Sequence, residues 1–128
     1  MRLQNKIAVI TGGAQGIGRA IALGMAREGA SVVVADLQAK KAESAAAELR
    51  ALGAQAIAVE VNVASEMSVK RLADRTFDRF ARVDILVNDA GIYLKAPVVS
   101  KTEEDWDQTI NVNLGGNFLC ARAFVPAR

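Results

Sequence analysis

The sequence predicts an α/β fold of three layers, in which helices cover both faces of a parallel sheet of about four strands. Runs rich in Val and Ile begin near Lys6, Ser31, Ala54 and Val83, and a stretch with helical periodicity follows each of them. Strands that alternate with helices lie parallel, because each helix carries the chain back across the sheet. Hydrophobic residues fill 52% of the 128 positions, enough for a core, so we expect a single domain over residues 1–128.

The first unit begins with a buried strand predicted at residues 7–10, which leads into the glycine loop TGGAQGIG at residues 11–18. Beyond the strand, apolar or small residues recur at helical spacing: Ile17, Ala20, Ile21 and Gly24. This helix is expected to end at Gly29, in a left-handed cap. The loop therefore occupies a strand-to-helix turn, which directs backbone N–H groups and the positive end of a helix at a ligand. Such a turn suits a pyrophosphate, because glycine leaves no Cβ between chain and ligand.

The second unit places a carboxylate beside that loop. Its strand run VVVADL carries Asp36, about twenty residues beyond the glycines, with Leu37 next to it. A carboxylate there accepts hydrogen bonds from the adenosine ribose hydroxyls, and Leu37 is expected to contact the cofactor with it. The same charge repels a 2′-phosphate, and the loop carries Gln15 instead of a basic residue, so NAD is favoured over NADP. In the alternative interpretation, Asp36 only ends a strand as a turn residue.

Caps and periodicity predict the next two helices. The second helix is expected over AKKAESAAAELRAL, residues 39–52, and ends at the glycine that follows. Ser65 is a candidate N-cap for the third helix. The apolar positions of that helix follow the helical period: Val69, Leu72, Ala73, Thr76, Phe77 and Phe80.

The fourth unit combines a strand predicted at residues 83–87 with a helix that runs toward the end of the sequence. This helix opens with a capping-box pattern, Thr102-x-x-Asp105, in which aspartate takes the place of glutamate. Within it, Asn113 is followed by two glycines, which is typical of an irregular helix.

Composition excludes several classes of function. A formal charge of +2, with basic residues scattered and 5% aromatic residues, argues against a nucleic-acid partner. No apolar run approaches the length of a membrane span, so no membrane association is expected. The absence of histidine excludes Ser-His-Asp and Cys-His nucleophile pairs, and we expect no metal site. Cys120 is a lone cysteine in a helical pattern, which indicates a buried small hydrophobe and a reducing, cytoplasmic setting.

Four motifs in order along the chain resemble the short-chain dehydrogenase/reductase family. The loop TGGAQGIG matches the pattern TGxxxGxG, LVNDAG at residues 86–91 is similar to LVNNAG, and INVNL at residues 110–114 resembles the motif of the fourth helix. The pair Asn62-Val63 stands where the family usually has Asp-Val. The chain is thereby identified as a member of a family with a Rossmann-type fold, and the predicted strand order of its sheet is 3-2-1-4. Its reaction is hydride transfer between a nicotinamide cofactor and a carbonyl or secondary alcohol.

The resemblance implies that the positions matching these motifs contact the cofactor. These positions are Gly12, Gln15, Gly16, Ile17, Gly18, Asn62, Val63, Asn88, Ala90 and Gly91. The members from the glycine loop would lie beside the phosphates and nicotinamide, the pair at 62–63 against the adenine, and those at 88–91 along the ribose side. Asn113 matches the catalytic asparagine of the family, which bends its helix and holds a water in a proton relay.

Asp89 departs from the family pattern, because it stands where LVNNAG has its second asparagine. An amide that donates and accepts is replaced by a carboxylate that only accepts at neutral pH. Because the family uses that side chain to tie neighbouring strands together, the resemblance implies that a donor is lost here and that the sheet is weakened if its partner stays unsatisfied.

The family's catalytic serine and YxxxK pair would follow position 128, so the resemblance implies an incomplete fold without the usual reaction centre. Tyr93 and Lys95 are candidate surrogates; this spacing separates the side chains on a helix, whereas in a loop they can meet. The alternative function is a non-catalytic dinucleotide-binding remnant or assembly module. A strand four without a partner on its far edge, and an uncovered helix four, predict a homo-oligomer.

Overall fold

The structure is a computed structural model, and it describes residues 1–90 and 102–124. The elements follow in the order β1 (Ile7–Thr11), α1 (Gly16–Arg27), β2 (Ser31–Asp36), α2 (Ala39–Ala51), β3 (Ala56–Glu60), α3 (Glu66–Phe80), β4 (Ile85–Asn88), α4 (Glu103–Ile110), a π-helical segment (Asn111–Gly115) and α5 (Gly116–Phe124). The strands form one parallel four-stranded sheet in the order β3-β2-β1-β4. The predicted α/β class and strand order are confirmed.

The register of the sheet brings the carboxyl ends of the strands to one edge. Thr11 pairs with Ala35 on one side and with Asn88 on the other, while Asp36 pairs with Glu60. The segments that leave these strand ends therefore start as neighbours. In open parallel sheets this edge is where ligands bind, because the connecting loops diverge there and leave a crevice.

Two apolar clusters cover the two faces of the sheet. On one face, Val9, Val33 and Val59 pack with residues of α3 and α5, including Leu72 and Phe124. On the other, residues of β1 and β2 pack with the small side chains of α1 and α2. The alternation of neighbouring strand residues between the faces produces the three layers expected from sequence.

The first helix forms, but the apolar or small residues that recur at helical spacing in its sequence do not make up its buried side. Its buried residues are Gly18, Ala22 and Ala26, whereas the side chain of Ile17 is 72% exposed. The small residues face the sheet because they allow the helix backbone to approach closely. Ile17 is left at the edge of the sheet where the strands end.

The caps predicted for the first three helices are confirmed, and so is the helical periodicity predicted for the third. Both Gly29 and Gly53 adopt positive φ, +96° and +94°, at the ends of the first two helices. Ser65 caps α3, since its hydroxyl accepts a hydrogen bond from the Ser68 N–H at 3.2 Å. The inner face of α3 includes Val69, Leu72, Ala73 and Thr76, while Phe77 and Phe80 are half-buried.

The fourth helix is not regular, as the glycines after Asn113 indicated. A π-helical segment containing Asn113 separates α4 from α5. Cys120 on α5 is fully buried, as predicted, and burial raises the pKa of its thiol to about 11. None of the described helices is long and apolar enough to cross a bilayer.

Asp84 stabilises the amino-terminal end of β1, which lies opposite the carboxyl edge of the sheet. Its carboxylate accepts a hydrogen bond from the Ile7 N–H at 2.8 Å and another from Arg82 at 3.1 Å. The pKa of this carboxyl is lowered, first by the backbone hydrogen bond and then by the guanidinium. A lowered folded-state pKa stabilises the fold above the unfolded value and loses that contribution as pH falls through the folded value.

We therefore expect Asp84→Asn to lower the free energy of unfolding by about 1 kcal/mol at neutral pH, because an amide accepts more weakly than a carboxylate. The difference between variant and parent should be smaller at an acid pH below the lowered pKa of the parent carboxyl, where that side chain is protonated, than at neutral pH. Urea unfolding of the variant and the parent at neutral pH and at that acid pH measures the difference. An equal difference at both would contradict the electrostatic explanation.

Candidate functional site

A cleft of about 960 Å³ opens at the carboxyl edge of the sheet. Most of the residues predicted to bind a cofactor line it: Gly12, Gln15, Gly16, Ile17, Asp36, Leu37, Asn62, Val63 and Ala90. The sequence-predicted positions therefore converge from the ends of β1, β2, β3 and β4, which are distant along the chain but adjacent in the sheet.

The glycine turn leaves its backbone open to this cleft. Gly12 and Gly16 adopt positive φ, +71° and +61°. A Cβ on Gly12 would lie 2.8 Å from the backbone N of Ala90, so Gly12 lets the turn pack against the end of β4. Among the described residues, no heavy atom outside the local backbone lies within 4 Å of the corresponding position at Gly16. A ligand can therefore approach the backbone of Gly16 directly.

The start of α1 has no side-chain cap. Gln15, its N-cap residue, makes no capping hydrogen bond through its side chain, and the first turn contains no acidic residue. α3 differs, because Ser65 supplies an oxygen there. The first N–H groups of a helix need acceptors, and the helix dipole favours a negative one. An anion in the cleft can provide it.

Gly18 does not line the cleft but holds the turn together from beneath. It is buried, and a Cβ at this position would lie 2.1 Å from the carbonyl oxygen of Gly12. That separation is far shorter than any contact a real side chain makes. Gly18 therefore allows α1 to begin directly against the turn.

The Asp36 carboxylate ties the glycine turn to the start of α2. Its Oδ2 accepts a hydrogen bond from the Ala14 N–H at 3.1 Å, and its Oδ1 accepts one from the Gln38 N–H at 3.0 Å. The side chain is 9% exposed and lines the cleft. Each carboxylate oxygen accepts more than one hydrogen bond, so the turn role found here is compatible with binding ribose hydroxyls.

The segment after β3 forms the facing wall. The Asn62 Oδ1 accepts a hydrogen bond from the Ala64 N–H at 3.0 Å, and the Asn62 N–H donates to the Ser68 hydroxyl at 2.8 Å. The first bond closes a turn within the segment, and the second anchors the segment to α3. Val63 is buried and packs against Gly116, where a Cβ would lie 2.7 Å from a Val63 methyl.

Not every predicted residue lines the cleft. Asn88 is exposed at the end of β4, and Asn113 is half-buried in the π-helical segment; neither is among the lining residues. The predicted positions Gly91, Tyr93 and Lys95 lie outside the described residues.

Sequence reasoning also missed part of the cleft wall. Lining residues that were not predicted are Gln38, Val61, Ala64, Asp89, Glu104, Asp107, Asn111 and Val112. Several neighbour recognised motifs, so proximity in sequence was an available signal for them. The sequence carried no such signal for Glu104 and Asp107 of α4, because their position depends on how α4 packs.

The close approach of α5 to Val63 leads to a prediction with a neighbouring control. Gly116→Ala should lower the free energy of unfolding by about 1–3 kcal/mol, because the added methyl overlaps Val63. Gly115→Ala adds the same methyl where the nearest atom, the Ile110 carbonyl oxygen, is 3.8 Å away, and should be tolerated. Thermal unfolding of both variants measures the difference. Equal stabilities would contradict the packing described.

The sheet is parallel with the strand order β3-β2-β1-β4, and a glycine turn follows β1. These two features define a Rossmann-type α/β protein. The family model for short chain dehydrogenase matches residues 6–127, and the chain belongs to this family.

Individual relatives agree with that assignment. The chain is 41% identical over 123 residues to the (2S)-[(R)-hydroxy(phenyl)methyl]succinyl-CoA dehydrogenase subunit BbsD of Thauera aromatica, covering 96% of this chain and 50% of that protein. It is 39% identical over 126 residues to the 3-oxoacyl-(acyl-carrier-protein) reductase FabG of Thermotoga maritima, covering 98% and 51%. It is 39% identical over 127 residues to the sorbitol dehydrogenase of Cereibacter sphaeroides, covering 99% and 48%. The chain thus spans about half the length of the curated relatives it matches.

Proposed function

We propose that the cleft binds a nicotinamide dinucleotide, with the pyrophosphate at the glycine turn. The observation that carries this proposal is the uncapped start of α1 beside Gly16, whose Cα faces open space. Asp36 and Leu37 would contact the adenosine ribose, and Asn62 and Val63 the adenine. Ala90 lies on the ribose side, together with Asn88 and Gly91 by resemblance.

We also propose that NAD is preferred over NADP. Asp36 would repel a 2′-phosphate, and no lysine or arginine is among the described residues that line the cleft. Two nearby cations already have partners, since Arg19 pairs with Glu48 and Lys41 donates to Gln15 Oε1 at 3.0 Å. Titration calorimetry should give a lower Kd for NAD than for NADP. A lower Kd for NADP would reject this preference.

The proposed activity is an NAD-dependent oxidoreductase acting on a small carbonyl or secondary alcohol. A bound nicotinamide cofactor supplies the hydride chemistry, while residues of this chain bind and orient it. Asn113 is proposed to position a water for proton transfer, with Tyr93 and Lys95 as the alternative proton donors.

A non-catalytic binding or assembly module is the second candidate. Leu114 and Phe118 are 65% and 61% exposed, and β4 is an edge strand of the described sheet. Exposed apolar side chains and a free strand edge favour association, so we propose a homo-oligomer with one domain per chain in the cytoplasm. Sedimentation at high micromolar concentration should show more than one chain per particle. A stable monomer would reject the oligomer.

A steady-state assay with NADH and a panel of ketones and sugars separates the two functions. Turnover above the buffer rate, lost in Asn113→Ala, supports the oxidoreductase. Dinucleotide binding by calorimetry without turnover supports the module. The absence of both binding and turnover would reject the cofactor proposal itself.

A further inference from the structure

Asp89 lies where the end of β4 meets the glycine turn. A Cβ on Gly12 would lie 2.9 Å from the Asp89 carbonyl carbon, and a Cβ on Gly18 would lie 2.8 Å from Asp89 Oδ2. Backbone and carboxylate of Asp89 thus both contact the turn. The carboxylate lies beside the first turn of α1, and Asp89 lines the same cleft as Gly16 and Ile17.

No described lysine or arginine forms an ion pair with this carboxylate. Asp89 is half-buried, and although its backbone N–H donates to the Thr11 carbonyl at 3.2 Å, no described residue donates to its side chain. The lost donor expected from the sequence is therefore accompanied by a negative charge that no described residue pairs. The described lining residues include three further carboxylates, Asp36, Glu104 and Asp107, and no cation.

A pyrophosphate at the glycine turn would approach this carboxylate. Like charges in a partly enclosed cleft repel more strongly than in bulk water, because less solvent separates them. Added salt screens the repulsion, so binding should strengthen as ionic strength rises. This is the reverse of the salt dependence of phosphate sites built from lysine and arginine.

We propose that Asp89 limits the affinity of the cleft for dinucleotides through its negative charge at the phosphate turn. The inference rests on the proposed cofactor binding and adds an affinity-determining residue to it. The charge acts on the phosphates and not on the adenosine, so ligands with and without phosphate separate its effect from a general change of the fold.

The test compares the parent with Asp89→Asn in titrations with ADP-ribose, which carries the pyrophosphate, and adenosine, which carries no phosphate. Asp89→Asn should bind ADP-ribose roughly tenfold more tightly, with the affinity for adenosine unchanged. Asp78→Asn is the matched control, because it makes the same charge change on the exposed face of α3. It should leave both affinities unchanged.

Repeating the ADP-ribose titration at several NaCl concentrations separates charge from a repaired hydrogen bond. The Kd of the parent should fall as the Debye length shortens from about 30 Å to about 3 Å, and this dependence should be weaker in Asp89→Asn. Asp89→Ser, neutral and smaller, should behave likewise if the asparagine variant folds poorly.

Equal ADP-ribose affinities in parent and neutral variants, or an unchanged salt dependence, would overturn the role of Asp89 while leaving cofactor binding intact. If the parent and every variant fail to bind ADP-ribose and NAD, both proposals fail.

Discussion

Gly18→Ala should unfold the glycine turn locally and remove dinucleotide binding, although only a methyl group is added. The new Cβ would lie 2.1 Å from the Gly12 carbonyl oxygen and 2.8 Å from Asp89 Oδ2. The first of these neighbours is backbone, which cannot rotate away as a side chain can. We expect the free energy of unfolding to fall by at least about 2 kcal/mol, at the upper part of the range for overpacked sites. Urea unfolding and NAD titration calorimetry measure the two effects.

Gly24 provides a control within the same helix. No heavy atom lies within 4 Å of a Cβ placed there, so Gly24→Ala should keep its binding. Its stability should rise by up to about 1 kcal/mol, because alanine favours the helical state over glycine. If Gly18→Ala matched Gly24→Ala in stability and binding, the close packing of α1 on the turn would be wrong.

Asp36→Ala should produce the second large effect, on stability and on cofactor choice together. The Ala14 N–H is buried and bonds to Asp36 Oδ2, so truncation leaves a buried donor unsatisfied at a cost of about 1–3 kcal/mol. The proposed ribose contact is lost at the same time. NAD affinity should fall about tenfold or more, whereas NADP, relieved of a repelling charge, should lose less. Calorimetric titration with each cofactor gives the ratio.

Glu60→Ala serves as the comparison for Asp36. Glu60 pairs with Asp36 in the sheet register and is exposed at the end of β3, so the variant removes an equal charge from the same edge of the sheet. The ratio of NAD to NADP affinity should stay at the parent value. A shift in Glu60→Ala equal to that in Asp36→Ala would show that general charge, and not the position of Asp36, sets the preference.

Local features of the fold could be predicted from the sequence because neighbouring residues determine them. The strand before Thr11, the glycine turn and the cap at Ser65 each depend on a few adjacent positions, and the structure contains all three. The sheet order followed from the family resemblance and the β-α alternation. The position of Asp36 at the cleft could be predicted for the same reason, since Asp36 is the last residue of the buried strand β2.

Features that depend on packing between distant segments could not be predicted. The buried side of α1 is its small-residue side, because close approach to the sheet outweighs the larger apolar area of Ile17. Glu104 and Asp107 line the cleft because α5, which continues from α4, packs its first residue, Gly116, against Val63. The position of the Asp89 carboxylate beside Gly18 likewise results from the tertiary approach of β4 to the turn.

The most direct test of the central claim is a map of backbone amide chemical shifts on titration with NAD. We predict that the largest changes lie at Gly16, Ile17 and Asn62, which line the cleft at the carboxyl edge of the sheet. A second groove lies between α3 and α5 and includes Lys70 and Ala123. The amide chemical shifts of these residues should remain unchanged. Changes concentrated at that second groove, or none anywhere at saturating NAD, would contradict the assignment of the glycine-turn cleft as the dinucleotide site.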